Sequence, residues 1–162
     1  MRTLLLLLLL WLPSMVAARM LPDSLSAAEQ EVSRIIRGEG IYVVHFWAPW
    51  CPNSRAELGA GWPFLIADNP DVHFLFVTVW NNGQSGRSVL RDYGIPEVVE
   101  QGTSAVHRSH RFLGLPLTWT PSTWIFHRRG QLAYAPNYGE VDMDTLQKLL
   151  DMTRKDGSYA GK

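Results

Sequence analysis

Cys51 is the single cysteine of the chain and lies in the segment Phe46 to Ser54, FWAPWCPNS. A thiol does its chemistry as the thiolate, so what matters first is what would hold the proton off. Pro52 suits the first turn of a helix with Cys51 as its cap, where unpaired N–H groups favour an anion. Ser54 stands three residues on, so its backbone N–H and its hydroxyl can both reach the sulfur. Such a thiolate attacks a disulfide and leaves a mixed disulfide. Ser54 cannot resolve that adduct, because a hydroxyl oxygen neither forms the bond nor ionises near neutral pH. The resolving thiol must therefore come from the substrate, from glutathione or from a partner protein. That favours isomerisation, exchange or capture over net dithiol oxidation. The alternative for Cys51 is a small buried hydrophobe, although core packing gives no reason to place one between Trp50 and Pro52 at a helix start.

Other chemistry-bearing residues are weighed in the same way. His45 either modulates the Cys51 pKa from below or is a neutral, hydrogen-bonded core histidine, and the second is preferred. Trp47 is expected in the core, and Trp50 as a wall of a groove beside the thiol. His107 and His110 lie i,i+3 on an expected helix without an acidic or sulfur ligand nearby in sequence, so no metal site is expected. Arg55 and Glu57, one turn past Cys51, either tune its field or are ordinary exposed helix charges, and Arg128-Arg129 is read as soluble surface.

The elements that must position Cys51 follow from periodicity. Ser26-Ala27-Ala28-Glu29 is a capping box, and Val32, Ile35 and Ile36 give the following helix one apolar face. IYVVHFW (41–47) and VHFLFVTVW (72–80) are apolar enough for strands buried on both faces. Gly59, Gly61 and Pro63 should interrupt the helix that starts at Pro52. A short helix is expected over 87–93, a short strand over 96–100 and a helix over 103–112. STWIFH (122–127) and 131–135 read as a hairpin around Arg129-Gly130, and a last helix starts near Asp142 with Leu146, Leu149 and Leu150 inward. The order β-α-β, helical insert, β-β-α implies an α/β fold with a mixed central sheet flanked by helices.

Residues 1–18 have a basic start, an apolar run and the small residues Val16-Ala17-Ala18, the pattern of a secretory signal peptide. If uncleaved, the same run would tether the chain to a membrane. The expected organisation is thus a leader over 1–18, one domain over 19–154 and a flexible tail over 155–162. The 15 Lys+Arg balance 15 Asp+Glu, and loss of Arg2 with the leader leaves 14 against 15. That near-neutral balance, without a basic stripe, excludes nucleic acid as an expected partner.

Three features resemble the thioredoxin superfamily: the strand running into FWAPWC, the pair Thr120-Pro121 just before a strand, and the closing hairpin and helix. The leader, the Ser54-Arg55-Ala56-Glu57 continuation and the central insertion are similar to its extracytoplasmic TlpA-, ResA- and DsbE-like branch. The likeness spans about residues 25 to 152. It implies a thioredoxin-like fold, a nucleophilic Cys51 and a cis Pro121 beside it. It also implies substrate contacts at Trp50, Pro52 and Thr120, thiol- or disulfide-bearing protein substrates, and no cofactor. Glutathione or a membrane redox partner would recycle the thiol. The family's second cysteine falls at Ser54, either native or a replacement, which leaves a CxxS site. The acidic residue that the family often holds under its site falls at His45. Two other readings stay open: a redox-inactive peptide-binding or assembly module, and copper delivery, which the single cysteine disfavours.

Overall fold

The computed structural model describes residues 25–81, 85–96, 99–100 and 110–159. In chain order, its first half contains α1 (Ala27–Ile35), β1 (Ile41–Trp47), α2 (Pro52–Leu58), α3 (Trp62–Asp68), β2 (Val72–Thr78) and α4 (Arg87–Asp92). The second half adds β3 (Val99–Glu100), β4 (Arg111–Phe112), β5 (Leu115–Pro116), β6 (Ser122–His127), β7 (Gln131–Tyr134) and α5 (Met143–Tyr159). Five strands form one sheet in the order β3-β2-β1-β6-β7. The first three run parallel, and β6 and β7 are antiparallel to their neighbours, so the sheet is mixed.

β1 lies at the centre, and six of its seven residues are buried. Alternation sends Tyr42, Val44 and Phe46 to one face and Val43, His45 and Trp47 to the other. The first face packs under α1 through Val32 and Ile36, together with Phe112, Leu117 and Trp124. Phe46 meets Phe112 and Trp124 edge to face, at centroid distances of 4.8 and 4.6 Å. The opposite face packs Val43 and Trp47 against Leu58, Trp62, Leu65, Leu146 and Leu150. Fully burying a side chain such as Phe46 stabilises by roughly 1.5–3 kcal/mol.

Local signals set most boundaries. Ser26 and Glu29 form the capping box: the Glu29 N–H donates to the Ser26 hydroxyl at 3.3 Å, and the Ser26 N–H donates to the Glu29 carboxylate at 3.0 Å. Between α2 and α3 the backbone passes through Gly61 at φ 119°, a conformation glycine adopts without Cβ strain, and the expected single interrupted helix becomes two.

Three expectations change. β2 ends at Thr78, two residues earlier than expected. The helix expected over 103–112 falls mostly outside the described residues, but its end is strand. Arg111 pairs with Pro116 and Phe112 with Leu115 across a two-residue turn, Leu113-Gly114, with φ of 49° and 76°. Both values are positive, as in a type I′ hairpin turn, and glycine at the second position makes it accessible. Third, α5 continues to Tyr159, into the segment expected as a tail. Arg154 holds that end down, its guanidinium reaching both Asp71 carboxylate oxygens, at 2.9 and 2.8 Å, and Asn69. The leader expected over 1–18 lies outside the described residues. Among the described residues no helix is long and apolar enough to cross a membrane.

Candidate functional site

The C-terminal end of β1 delivers the chain into Ala48-Pro49-Trp50-Cys51. Ala48 and Pro49 are buried, and the Cys51 N–H closes a turn on the Ala48 carbonyl at 3.1 Å. Cys51 caps α2, with Pro52 in the first turn, as its sequence position predicts. β6 runs antiparallel to β1 with Phe46 opposite Ser122. That register brings the residues just before β6 beyond the end of β1, where Cys51 lies. The Thr120–Pro121 peptide bond is cis. The Cys51 thiol donates to the Thr120 carbonyl with sulfur and oxygen 3.7 Å apart.

Opposing influences act on the sulfur. Burial raises the Cys51 pKa; the N–H and hydroxyl of Ser54, the N–H of Asn53 and a contact from Thr120 lower it, and the balance falls below the ordinary thiol value. The Thr120 carbonyl is a separate contact: it accepts from the thiol and by itself favours the protonated form. Ser54 is fully buried, and its hydroxyl accepts the Ala48 N–H at 3.2 Å. One side chain thus ties the β1 exit to α2 and offers its proton to the sulfur.

His45 is fully buried on the face of β1 that looks toward α2 and α3. Its Nδ1 lies 3.0 Å from the Thr123 hydroxyl, and its ring packs on Trp62 at 4.6 Å and Phe76 at 5.4 Å. Burial pushes its pKa down to about 3, so the ring is neutral. The preferred core reading therefore holds. No contact between His45 and Cys51 is present among the described residues, and the modulator role gains no direct geometry.

Glu57 is the correction. Read from sequence as an exposed charge, its side chain is 16% accessible and stands 3.8 Å from His45 Nδ1. Burial raises its pKa to about 7, so the carboxyl is largely protonated in mildly acid solution and the contact is not an ion pair. The missed signal is helical spacing. Ser54, Glu57 and Leu58 share one face of α2, and Ser54 and Leu58 are both buried.

Trp47 is fully buried and Trp50 is exposed, with its indole N–H donating to the Trp80 carbonyl. Pro52 is exposed, whereas Thr120 and Pro121 are buried. The structure thus brings Cys51, Ser54, Thr120 and Pro121 together, with Trp50 and Pro52 flanking the thiol in sequence. His110 has φ 46° and is exposed, outside any helix, while His107 lies outside the described residues. Among the described residues no cluster of three metal-ligating side chains forms.

The architecture now permits comparison with known proteins. No protein-family model and no curated protein sequence matches the chain. Solved structures do. A secreted disulfide oxidoreductase of Mycobacterium tuberculosis, described as homologous to DsbE of E. coli, superposes with a TM-score of 0.55 at 18% identity, over 72% of this chain and 84% of that one. A DsbF homologue from Corynebacterium diphtheriae gives 0.57 at 18% identity, over 72% and 73%. The chain has a thioredoxin-like fold. A thiol:disulfide interchange protein of the thioredoxin family from Chlorobium tepidum TLS agrees, at 0.55 and 20% identity over 74% and 83%. These identities speak to the fold; the roles of Cys51 and its neighbours rest on their geometry.

Proposed function

We propose that this chain is an exported thiol-disulfide exchange protein that acts through Cys51 alone. The carrying observation is the hydrogen bonding at the sulfur, where Ser54, Asn53 and the Thr120 side chain together favour the thiolate strongly enough to outweigh burial. The Cys51 thiolate attacks a client disulfide, forming a bond to one client sulfur while the other leaves as a thiolate and takes up a proton. Thr120 and Pro121 border the sulfur and present backbone for an extended client segment. The adduct is resolved by a second thiol on the client or by a small thiol such as glutathione, since Ser54 supplies none. Export is supported by the leader-like residues 1–18 and by structural neighbours described as secreted.

The test is a pH titration of Cys51 alkylation, combined with mass spectrometry after incubation with glutathione disulfide. The expected results are a thiol pKa below the ordinary cysteine value and a single glutathione adduct that Cys51→Ser abolishes. A thiol that titrates at or above the ordinary value and takes no adduct in the folded protein rules out exchange. It would leave the redox-inactive peptide-binding module as the better account.

A further inference from the structure

At the end of the sheet opposite Cys51, a groove of about 480 Å³ opens between α1, the β4–β5 hairpin and the β6–β7 hairpin. The Arg129 N–H donates to the Gly38 carbonyl at 3.0 Å and so ties the β6–β7 turn to the link between α1 and β1. Cys51 follows the other end of β1, roughly 20 Å away along the strand. The floor of the groove is Ile36 and Phe126, both buried, and Leu113 and Leu115 line it from the β4–β5 hairpin. Leu25 and Leu132 stand at its lip, 42% and 39% accessible.

Two arginines share this lining, Arg37 and Arg129. Among the described residues Arg37 is exposed and has no hydrogen-bond or ion-pair partner. Arg129 donates from Nε to the Glu39 carboxylate at 2.5 Å, which leaves its terminal nitrogens for a further acceptor. The Glu29 carboxylate, which reaches Leu113, is already taken up by the Ser26 N–H, the Ser26 hydroxyl and the Leu113 N–H. An apolar trough with open guanidinium groups fits a ligand of the converse layout, an apolar chain that ends in one anion. A carboxylate matches the planar guanidinium fork in a bidentate pair. The volume lies in the lower part of the range of small-molecule sites, with room for one acyl chain rather than two. We propose that this groove binds a single medium-chain fatty carboxylate, with its chain over Ile36 and Phe126 and its head group held by Arg37 and Arg129. No bond is made or broken there. The site lies apart from the thiol and stands or falls independently of the exchange reading.

The test is calorimetric titration of the purified chain with dodecanoate below its micelle concentration. One molecule is expected to bind per chain, and decanoate, two methylenes shorter, to bind about tenfold more weakly. Arg37→Gln should weaken dodecanoate about tenfold, and Arg37→Lys, which keeps the charge without the fork, about threefold. Arg129→Gln should also cost about threefold, because Glu39 already shares that guanidinium. Ser33, on the groove side of α1, offers a block: Ser33→Trp should abolish binding. Arg37 is a surface residue, so the head-group test survives if Ser33→Trp proves unstable. Phe64→Ser, exposed on α3 across the sheet, should bind as the parent does. Heat only above the micelle concentration, dodecanol binding as tightly as dodecanoate, or an Arg37→Gln affinity equal to the parent's overturns the site. A loss in Phe64→Ser as large as that in Arg37→Gln also overturns it. A parent dimer that Ser33→Trp separates in sedimentation makes a second copy the occupant and overturns the ligand. So does a tenfold gain in affinity on joint Met20→Ser and Leu21→Ser substitution, which makes the chain's own residues before Leu25 the occupant.

Discussion

Glu57→Gln isolates the buried carboxyl of α2. The fold raises the Glu57 pKa from 4.5 to about 7, so it favours the neutral acid. The sign follows from linkage: this contribution is fully present below about pH 4.5 and is lost as pH rises toward 7. Glutamine mimics the protonated acid and does not titrate. The variant should therefore match the parent near pH 4.5 and become progressively more stable above it. At about 1.4 kcal/mol per pH unit, the advantage reaches about 2.7 kcal/mol at pH 6.5 and levels off near about 3.5 kcal/mol above pH 7, as a ceiling. His45 sharpens the expectation. Its pKa falls from 6.5 to about 3, so its own contribution is present above 6.5 and is lost as pH falls. Between pH 4.5 and 6.5 the folded pair carries one proton, on Glu57, and the unfolded pair also carries one, on His45. The pair thus adds no slope in the parent, whereas the variant keeps only the His45 slope. Urea unfolding followed by tryptophan fluorescence at pH 4.5, 5.5, 6.5 and 7.5 measures the difference, in which unrelated carboxylates cancel. A parent-to-variant difference that stays constant across this range, or shrinks as pH rises, would refute the assignment of a buried neutral Glu57.

Other perturbations reach the site and its supports. Ser54→Ala removes the acceptor of the buried Ala48 N–H and the hydroxyl donor to the Cys51 sulfur, while the backbone N–H at 54 stays; it should cost about 1–2 kcal/mol in urea unfolding and slow Cys51 alkylation at neutral pH by raising the thiol pKa. Gly86→Ala would place a Cβ 2.5 Å from the Thr78 hydroxyl and 2.6 Å from the Trp47 ring, with a destabilisation of about 1–3 kcal/mol by denaturant titration. Glu29→Ala should cost more than Ser26→Ala, which loses about 1 kcal/mol, because Glu29 also accepts the Leu113 N–H at 2.7 Å. A double-mutant cycle on the two positions of the capping box checks that ordering.

The parts legible in the sequence are those encoded by neighbours along the chain. IYVVHFW announces β1 because an unbroken apolar, β-branched run is stable only where both sheet faces are covered. Pro52 and the residues before it place Cys51 at the start of α2, and Ser26 with Glu29 marks the start of α1. The Leu113-Gly114 turn is also local, but the helix expected over 103–112 stops short of it and takes in Arg111 and Phe112, which pair across that turn as strand. The far end of α5 was not local, since Arg154 is held by Asp71 and Asn69 from the link between α3 and β2.

Within the site, the nucleophile and its serine were readable because helix geometry alone brings residue i+3 to the cap. Whether a polar side chain one turn further on meets water or core depends on the layer beneath it. That layer is β1 and α3, which present His45 and Trp62 to the inner face of α2. The sequence by itself therefore determined that Cys51 stands at a helix start with no second thiol. Only the tertiary structure decided that Glu57 is a buried acid rather than a surface charge and that the Thr120 carbonyl meets the sulfur. Desolvation and contacts across 69 residues of chain depend on how the layers close, which no local spacing specifies.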